Sequence, residues 1–410
     1  MNSPIVTDQP PSTGDGGAAL LSWLQRMRAA GTVTYSEQTG AVNVFGYAEA
    51  VRALSDPASF SSQLGHAGTG ADPDVERFMS GNPLGADPPR HGKLRRLVSQ
   101  AFTPRVVAEY EPRIAAIATA LLDSVADKDE FDYVTELAYP LPVTVIAELL
   151  GIPASDQEMF RTWNEAMLSA TYESPFDGQG TDVNIPEAVT KAMRELCEYV
   201  LGHVRSRRAH PRDDLITGLA MATVDGESLT DDEVVGFAAG MLLGGHMSTT
   251  MMLGNTVACL LEHPDDLAAV RADRSLLPAA VEEVLRFRSP TTLAARMVKK
   301  PTQLGGVDLP AGRLAVIWTL SGNHDERQFE RPDVFDIRRS PNAHLTFGHG
   351  THFCVGTQLA RLEAKVSLGL LLDRYPEFAA TAAPSYYNRF ELCGVKQLPL
   401  SVSATARRPQ

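Results

Sequence analysis

Apolar residues recur at helical spacing over residues 95–124, 132–150, 186–206, 231–262, 276–287 and 355–373, and Pro, Gly or Asp clusters bound each stretch. Strand-like patterns are short and late. "TQLGGVDLPAGRLAVIW" predicts a hairpin, with Gly305-Gly306 and Pro310-Ala311-Gly312 as turns, and "AVNVFG" near residue 43 and "LPLSVS" near the end are further strand candidates. The chain therefore reads as mainly α with a minor β-sheet region. Residues 1–17 are rich in Pro, Gly, Ser and Thr and read as a disordered tail. No repeat and no Gly/Ser linker divides the rest, so residues 18–410 read as one domain, although 410 residues is long enough for two or three average ones.

The stretch Thr230–Leu261 stands out. "TDDE" is a capping-box signature, and the helical pattern then runs until His263-Pro264 stops it, far beyond the usual helix length. Gly240, Gly244 and Gly245 fall mid-course, each costing about 1 kcal/mol relative to alanine. Two explanations stand: close packing against another helix, or backbone that must approach a flat ligand or distort locally.

Composition narrows the class. Apolar residues make up 44% and charged residues 21%, the balance of a globular protein with a substantial core. The net charge of −13 argues against general nucleic-acid binding, which needs a basic face. "RHGKLRR" (Arg90–Arg96) is a local exception that on charge alone reads as a solvated helix face. The opening residues lack a basic segment followed by an apolar run, which predicts neither signal peptide nor membrane anchor and a cytoplasmic location. Cys197, Cys259, Cys354 and Cys393 are far apart without a CxxC pair, which argues against a disulfide framework and a zinc ribbon.

"TFGHGTHFCVG" (Thr346–Gly356) is the chemical centre of the sequence. His349, His352 and Cys354 are zinc-type ligands, but a fourth at a familiar spacing is missing. A nucleophilic cysteine remains open, since a histidine and an orienting acid can come from anywhere in a fold. The run lacks the Gly-Lys-Ser/Thr ending of a phosphate loop. An axial thiolate on haem iron fits the surroundings better. Cys354 lies just ahead of the helical stretch "VGTQLARLEAKVSLGLLL", whose free N–H groups and dipole favour thiolate over thiol. Gly348, Gly350 and Gly356 let the loop approach a porphyrin and donate backbone hydrogen bonds to sulfur.

"FGHGTHFCVG" resembles, position by position, the haem-binding signature of the cytochrome P450 family, with Phe347 and Cys354 at its fixed positions. "EEVLR" carries Glu283 and Arg286 at the spacing of the family's Glu-x-x-Arg structural motif, which an arginine or histidine from "ERPDVFDIRR" completes. "DPPRHGKLRRLV" is similar to the family's helix that offers a histidine and an arginine to the haem propionates, here His91 and Arg95; by the same comparison Arg296 and His352 take the other two positions. This replaces the solvated-face reading of the basic patch, while Arg90, Lys93 and Arg96 stay surface charges suited to an acidic electron donor. The resemblance covers roughly residues 80–403 and implies the P450 fold, with the long central helix crossing above the haem and Gly244 lining it. Haem b (iron protoporphyrin IX) is the implied cofactor and O2 the co-substrate. Residues 1–80 and 160–190 carry no motif; in the family these regions cover the substrate.

On the oxygen side most members carry an acid followed by threonine. Here the stretch is "LLGGHMSTT": one register puts Met247 at the acid and Ser248 at the alcohol, the other puts Ser248 at the acid and Thr249 at the alcohol. Neither supplies an acid, so protons would come by water, by His246 or by a polar group of the substrate. The resemblance therefore leaves two reactions open on a small natural-product substrate: hydroxylation, or oxidative coupling of aromatic groups without oxygen insertion, with a haem-binding sensor lacking turnover as the alternative. Tyr172, Tyr386, Tyr387 and Asn388 are candidate contacts for a peptide-like or indolic substrate, or else sit in exposed loops. No nucleotide fingerprint follows the cysteine, so the implied electron source is a separate ferredoxin with its reductase, serving a monomer of the soluble bacterial class.

Overall fold

The computed structural model describes residues 9–35, 40–64, 77–78, 82–169, 186–224 and 226–403. Tyr172 lies outside them. The architecture is helical with small sheets. The predicted stretches 186–206, 276–287 and 355–373 form the helices Glu187–Ala209, Leu277–Phe287 and Thr357–Arg374. The stretch 95–124 is three helices rather than one, Arg90–Ala101, Pro104–Glu109 and Glu111–Ser124, because Thr103-Pro104 caps a new start and Pro112 opens the next. The stretch 132–150 divides into a π-helical turn, Val134–Ala138, and the helix Pro140–Leu150.

The central helix, Asp231–Glu262, is 32 residues long, about 48 Å at 1.5 Å per residue. Its capping box is formed: Glu233 N donates to Thr230 Oγ1 at 3.2 Å and Thr230 N to Glu233 Oε2 at 3.0 Å. It packs on Pro140–Leu150 and Glu187–Ala209 and joins the main core.

The largest sheet runs, by neighbouring strands, Val33–Tyr35, Val42–Val44, Leu314–Ile317, Ala294–Val298 and Phe60–Ser61; only the pairing of Leu314–Ile317 with Val42–Val44 is parallel. Register pairs Arg296 with Ala315 and Met297 with Ser61, which sets Arg296 at the edge nearest Ser61 and Ser62. The predicted hairpin is present as Thr302–Leu304 and Val307–Leu309, turned by Gly305 and Gly306 at φ 58° and 80°.

The expected disordered tail is corrected for residues 9–17. Thr13 is fully buried, and Asp15 caps the helix Ala18–Ala30 by accepting from Gly17 N and Ala19 N. Composition hid this because the segment folds only against a distant loop, described below.

Glu283 and Arg286 are fully buried and paired through two bonds, Nε to Oε2 at 2.9 Å and Nη2 to Oε1 at 2.7 Å. Arg339 completes the motif, its Nε lying 3.2 Å from both Glu283 oxygens, and Arg286 also donates to Asn323 O, Pro332 O and Val334 O. On the helix Thr357–Arg374, Glu363 is buried with Oε2 unpartnered, and burial raises its carboxyl well above the ordinary range.

Candidate active site

Cys354 is exposed and sits just before Gly356, the N-cap of Thr357–Arg374. Its N donates to Phe347 O at 2.9 Å, and Thr357 Oγ1 donates to its carbonyl at 2.7 Å. Gly348 and Gly350 take left-handed φ of 73° and 71°, and a Cβ on Gly350 would lie 2.9 Å from Leu54 O. A Cβ on Gly356 would stand 3.9 Å from Cys354 Sγ, an ordinary contact that places Gly356 beside the sulfur. Phe347 packs under the Arg361 guanidinium, 4.9 Å from its ring centre.

The four expected propionate partners converge. His91 and His352 have ring centres 4.1 Å apart. Burial, then His91 and Arg296, pushes the His352 imidazole down to about 4; burial, then Arg95 and Arg296, lowers that of His91. Burial also lowers Arg95 and Arg296, and the charge of Cys354 acts back on Arg95. Among the described residues neither guanidinium has a carboxylate in salt-bridge contact. The nearby anion is Asp87, which accepts from Ser61 Oγ (2.6 Å), Ser62 N (2.9 Å) and Lys299 Nζ (3.2 Å). Burial pushes the Asp87 carboxyl up and these bonds outweigh it, so its pKa is lowered. Ser62 Oγ also meets His352 Nε2 at 2.9 Å. Two guanidiniums and two imidazoles that repel one another fit a group bearing two carboxylates.

The central helix identifies its own open face. Between Val234 and Leu260 only Gly244 and Ser248 are exposed, four residues apart on one side. A Cβ on Gly244 would meet nothing within 4 Å, whereas on Gly245 it would press Ile146 at 3.1 Å and on Gly240 the Asn82 side chain at 3.2 Å. Both explanations of the glycines hold, at different positions. Ser248 Oγ donates to Gly244 O at 3.2 Å. Thr249 is buried and donates to Gly245 O at 3.3 Å, so of the two registers it is Ser248 that stands on the open side.

His246 is corrected as a proton carrier. It lies two residues from both Gly244 and Ser248 and therefore on the far side of the helix, fully buried, with Nδ1 on Leu242 O and Nε2 on Asn164 Nδ2 at 3.2 Å. Burial pushes its imidazole down to about 4, against the backbone bond to Leu242. It joins two helices. Tyr386 and Asn388 lie instead against Gly16 and Gly14, Asn388 exposed and Tyr386 half-buried under the Arg288 guanidinium. Tyr387 lies towards Glu165 and Tyr139, and burial, then Glu165, pushes its phenol up to about 12. Sequence reasoning missed Asp87, Ser61 and Ser62; a buried acid beside "PPRH" was the available signal.

The cytochrome P450 family model matches residues 31–378. This chain belongs to the cytochrome P450 family. Cyclomarin C epoxidase from Salinispora arenicola is 42% identical over 96% of this chain and 98% of the relative. Among solved structures, a post-tailoring hydroxylase involved in himastatin biosynthesis is 43% identical with TM-score 0.81, over 93% of this chain and 96% of the other. A mutant of P450 EryK in complex with erythromycin B is 38% identical with TM-score 0.89, over 98% and 100%. The protein is thus a cytochrome P450 monooxygenase, and the family implies a haem-thiolate cofactor and use of O2. Among the described residues no helix is long and apolar enough to cross a membrane.

Proposed function

We propose that this P450 inserts one oxygen atom from O2 into a natural-product substrate, as a hydroxylation or an epoxidation. Cys354 would hold haem b through its thiolate. The observation that carries this reading is the exposed pair Gly244 and Ser248 on an otherwise buried helix, which leaves room for a flat group and puts an alcohol beside it. Bound there, the haem would supply oxidising chemistry with O2, assisted by electron donation from the Cys354 sulfur. His91, Arg95, Arg296 and His352 would bind its two propionates, and Phe347 and the loop glycines would shape the sulfur side. Ser248 Oγ–H turns from Gly244 O to hold a proton at the oxygen side. Met247, at the usual acid position, is buried and carries no proton, so water or a polar substrate group relays it.

The relatives named above, an epoxidase and a tailoring hydroxylase, support a natural product as substrate; a peptide-like one suits Tyr387. Residues 18–410 act as one catalytic unit, a cytoplasmic monomer, fed by a separate ferredoxin and its reductase. The missing acid favours a second reading, oxidative coupling, in which two hydrogens leave and no oxygen enters.

The first test is spectral: reduced protein with carbon monoxide gives the red-shifted Soret band of a thiolate ligand, and a histidine-like band refutes the assignment. Substrates that shift the ferric haem to high spin are then turned over with ferredoxin, its reductase and a reductant. A gain of one oxygen supports insertion, loss of two hydrogens or a dimer supports coupling, and binding without product identifies a sensor.

A further inference from the structure

The segment Thr13–Gly17 lies against the loop Tyr386–Gly394 with more precision than a tail requires. Thr13 Oγ1 is fully buried within 2.8 Å of Tyr387 O, 2.6 Å of Arg389 O and 2.5 Å of Leu392 O. A hydroxyl has one proton, so three carbonyls that would otherwise repel are gathered around a single donor. The glycines are used in the same way. A Cβ on Gly14 would lie 2.8 Å from Asn388 Oδ1, on Gly16 3.0 Å from the Tyr386 ring, and on Gly17 2.9 Å from Cys393 Sγ. Gly16 and Gly17 also take left-handed φ of 82° and 93°.

The other side of this loop meets the substrate side of the site. A Cβ on Gly394 would overlap Met251, and Asn255 Nδ2 donates to Cys393 O at 2.8 Å. Met251 and Asn255 follow Ser248 at three and seven residues, on the same face of the central helix. Thr292 holds Phe390 O at 2.5 Å, four residues before Arg296. At the tip, Arg389 Nη1 donates to Leu168 O at 2.7 Å, at the end of the helix Gln157–Ser169. The loop therefore spans from the open face of the central helix to that helix end, and Thr13 is its outer fastening.

We propose that Thr13 is a positioning residue for specificity: it fixes the loop Tyr386–Gly394, and through it the wall that large ligands meet beyond Ser248. The proposal rests on the haem-thiolate reading of the site. Haem binding itself, on the Cys354 side, does not depend on the clamp.

The test uses the purified holoprotein and two iron ligands, imidazole, which needs no wall, and miconazole, which does, each titrated by its shift of the ferric Soret band. Thr13→Val is expected to weaken miconazole about tenfold, the scale of one lost hydrogen bond. Imidazole affinity and the carbon monoxide band stay unchanged. Thr13→Ser restores miconazole binding, and hydrogen exchange at 386–394 is faster in Thr13→Val alone. Gly16→Ala, which shifts the strap without touching the hydroxyl, gives the Thr13→Val pattern and serves if that variant folds poorly. Equal weakening of both ligands, or lower thermal stability with an unchanged miconazole-to-imidazole ratio, overturns the clamp. Failure of imidazole to bind the wild type overturns the haem-thiolate reading instead.

Discussion

The loop that carries Cys354 and the middle of the central helix differ in what holds them. Around the cysteine, restraint comes from other elements: Leu345 N bonds Asn323 Oδ1 at 2.6 Å, Thr346 Oγ1 bonds Leu285 O at 2.5 Å, and Gly350 lies against Leu54. In the helix, among the described residues, Ser248 and Thr249 bond only back to the helix itself, to Gly244 O and Gly245 O. The cysteine side is therefore a fixed mount. The helix side keeps an alcohol that can exchange partners, as the proposed proton transfer needs.

The largest effect should come from the mount. Cys354→Ser abolishes the thiolate carbon monoxide band and all turnover; retained activity breaks the assignment of the two sides. Next is the buried motif behind it. Arg286→Ala leaves Glu283 with Arg339 as its remaining cation, strips the carbonyls of Asn323, Pro332 and Val334 of their donor, and should cost about 3–5 kcal/mol, read from the denaturant midpoint. On the oxygen side, Ser248→Ala should lower kcat by about 10²-fold, the lower end for a positioned proton-transfer group, while Thr249→Val stays within about threefold. Reversed effects would exchange the two registers.

The smallest effect concerns Glu363. Its folded-state pKa is raised, so its contribution to stability is complete below the unfolded carboxyl pKa and is lost as pH rises towards the folded value. Glu363→Gln, neutral throughout, should gain stability over wild type between pH 5 and pH 8 and show little difference at pH 4. Thermal melts across that range check it.

The thiolate side was legible because its demands are local. Three glycines, a cysteine and a helix start fall within eleven residues, and Glu283 with Arg286 form one helical turn. The central helix was also legible, from Thr230 to His263-Pro264, since capping and periodicity are properties of neighbouring residues. Ser248 against Thr249 was not, because a one-residue choice of face depends on what packs around the helix, and the burial of Thr249 beside exposed Ser248 decides it. His246 was misjudged for the same reason: its partner Asn164 is 82 residues away. The order of residues 9–17 was invisible because Thr13 finds its acceptors some 374 to 379 residues later.

The cluster of His91, Arg95, Arg296 and His352 also bears on how the protein is assembled. Its groups oppose one another's charge in the folded chain, which as a whole carries a net charge of −13. The site is thus a local positive focus on an acidic molecule, and on the proposed reading it would steer an arriving dianion towards itself. The rate of haem uptake by the folded apoprotein should fall as ionic strength rises, while the release rate, governed by contacts already made at short range, changes little.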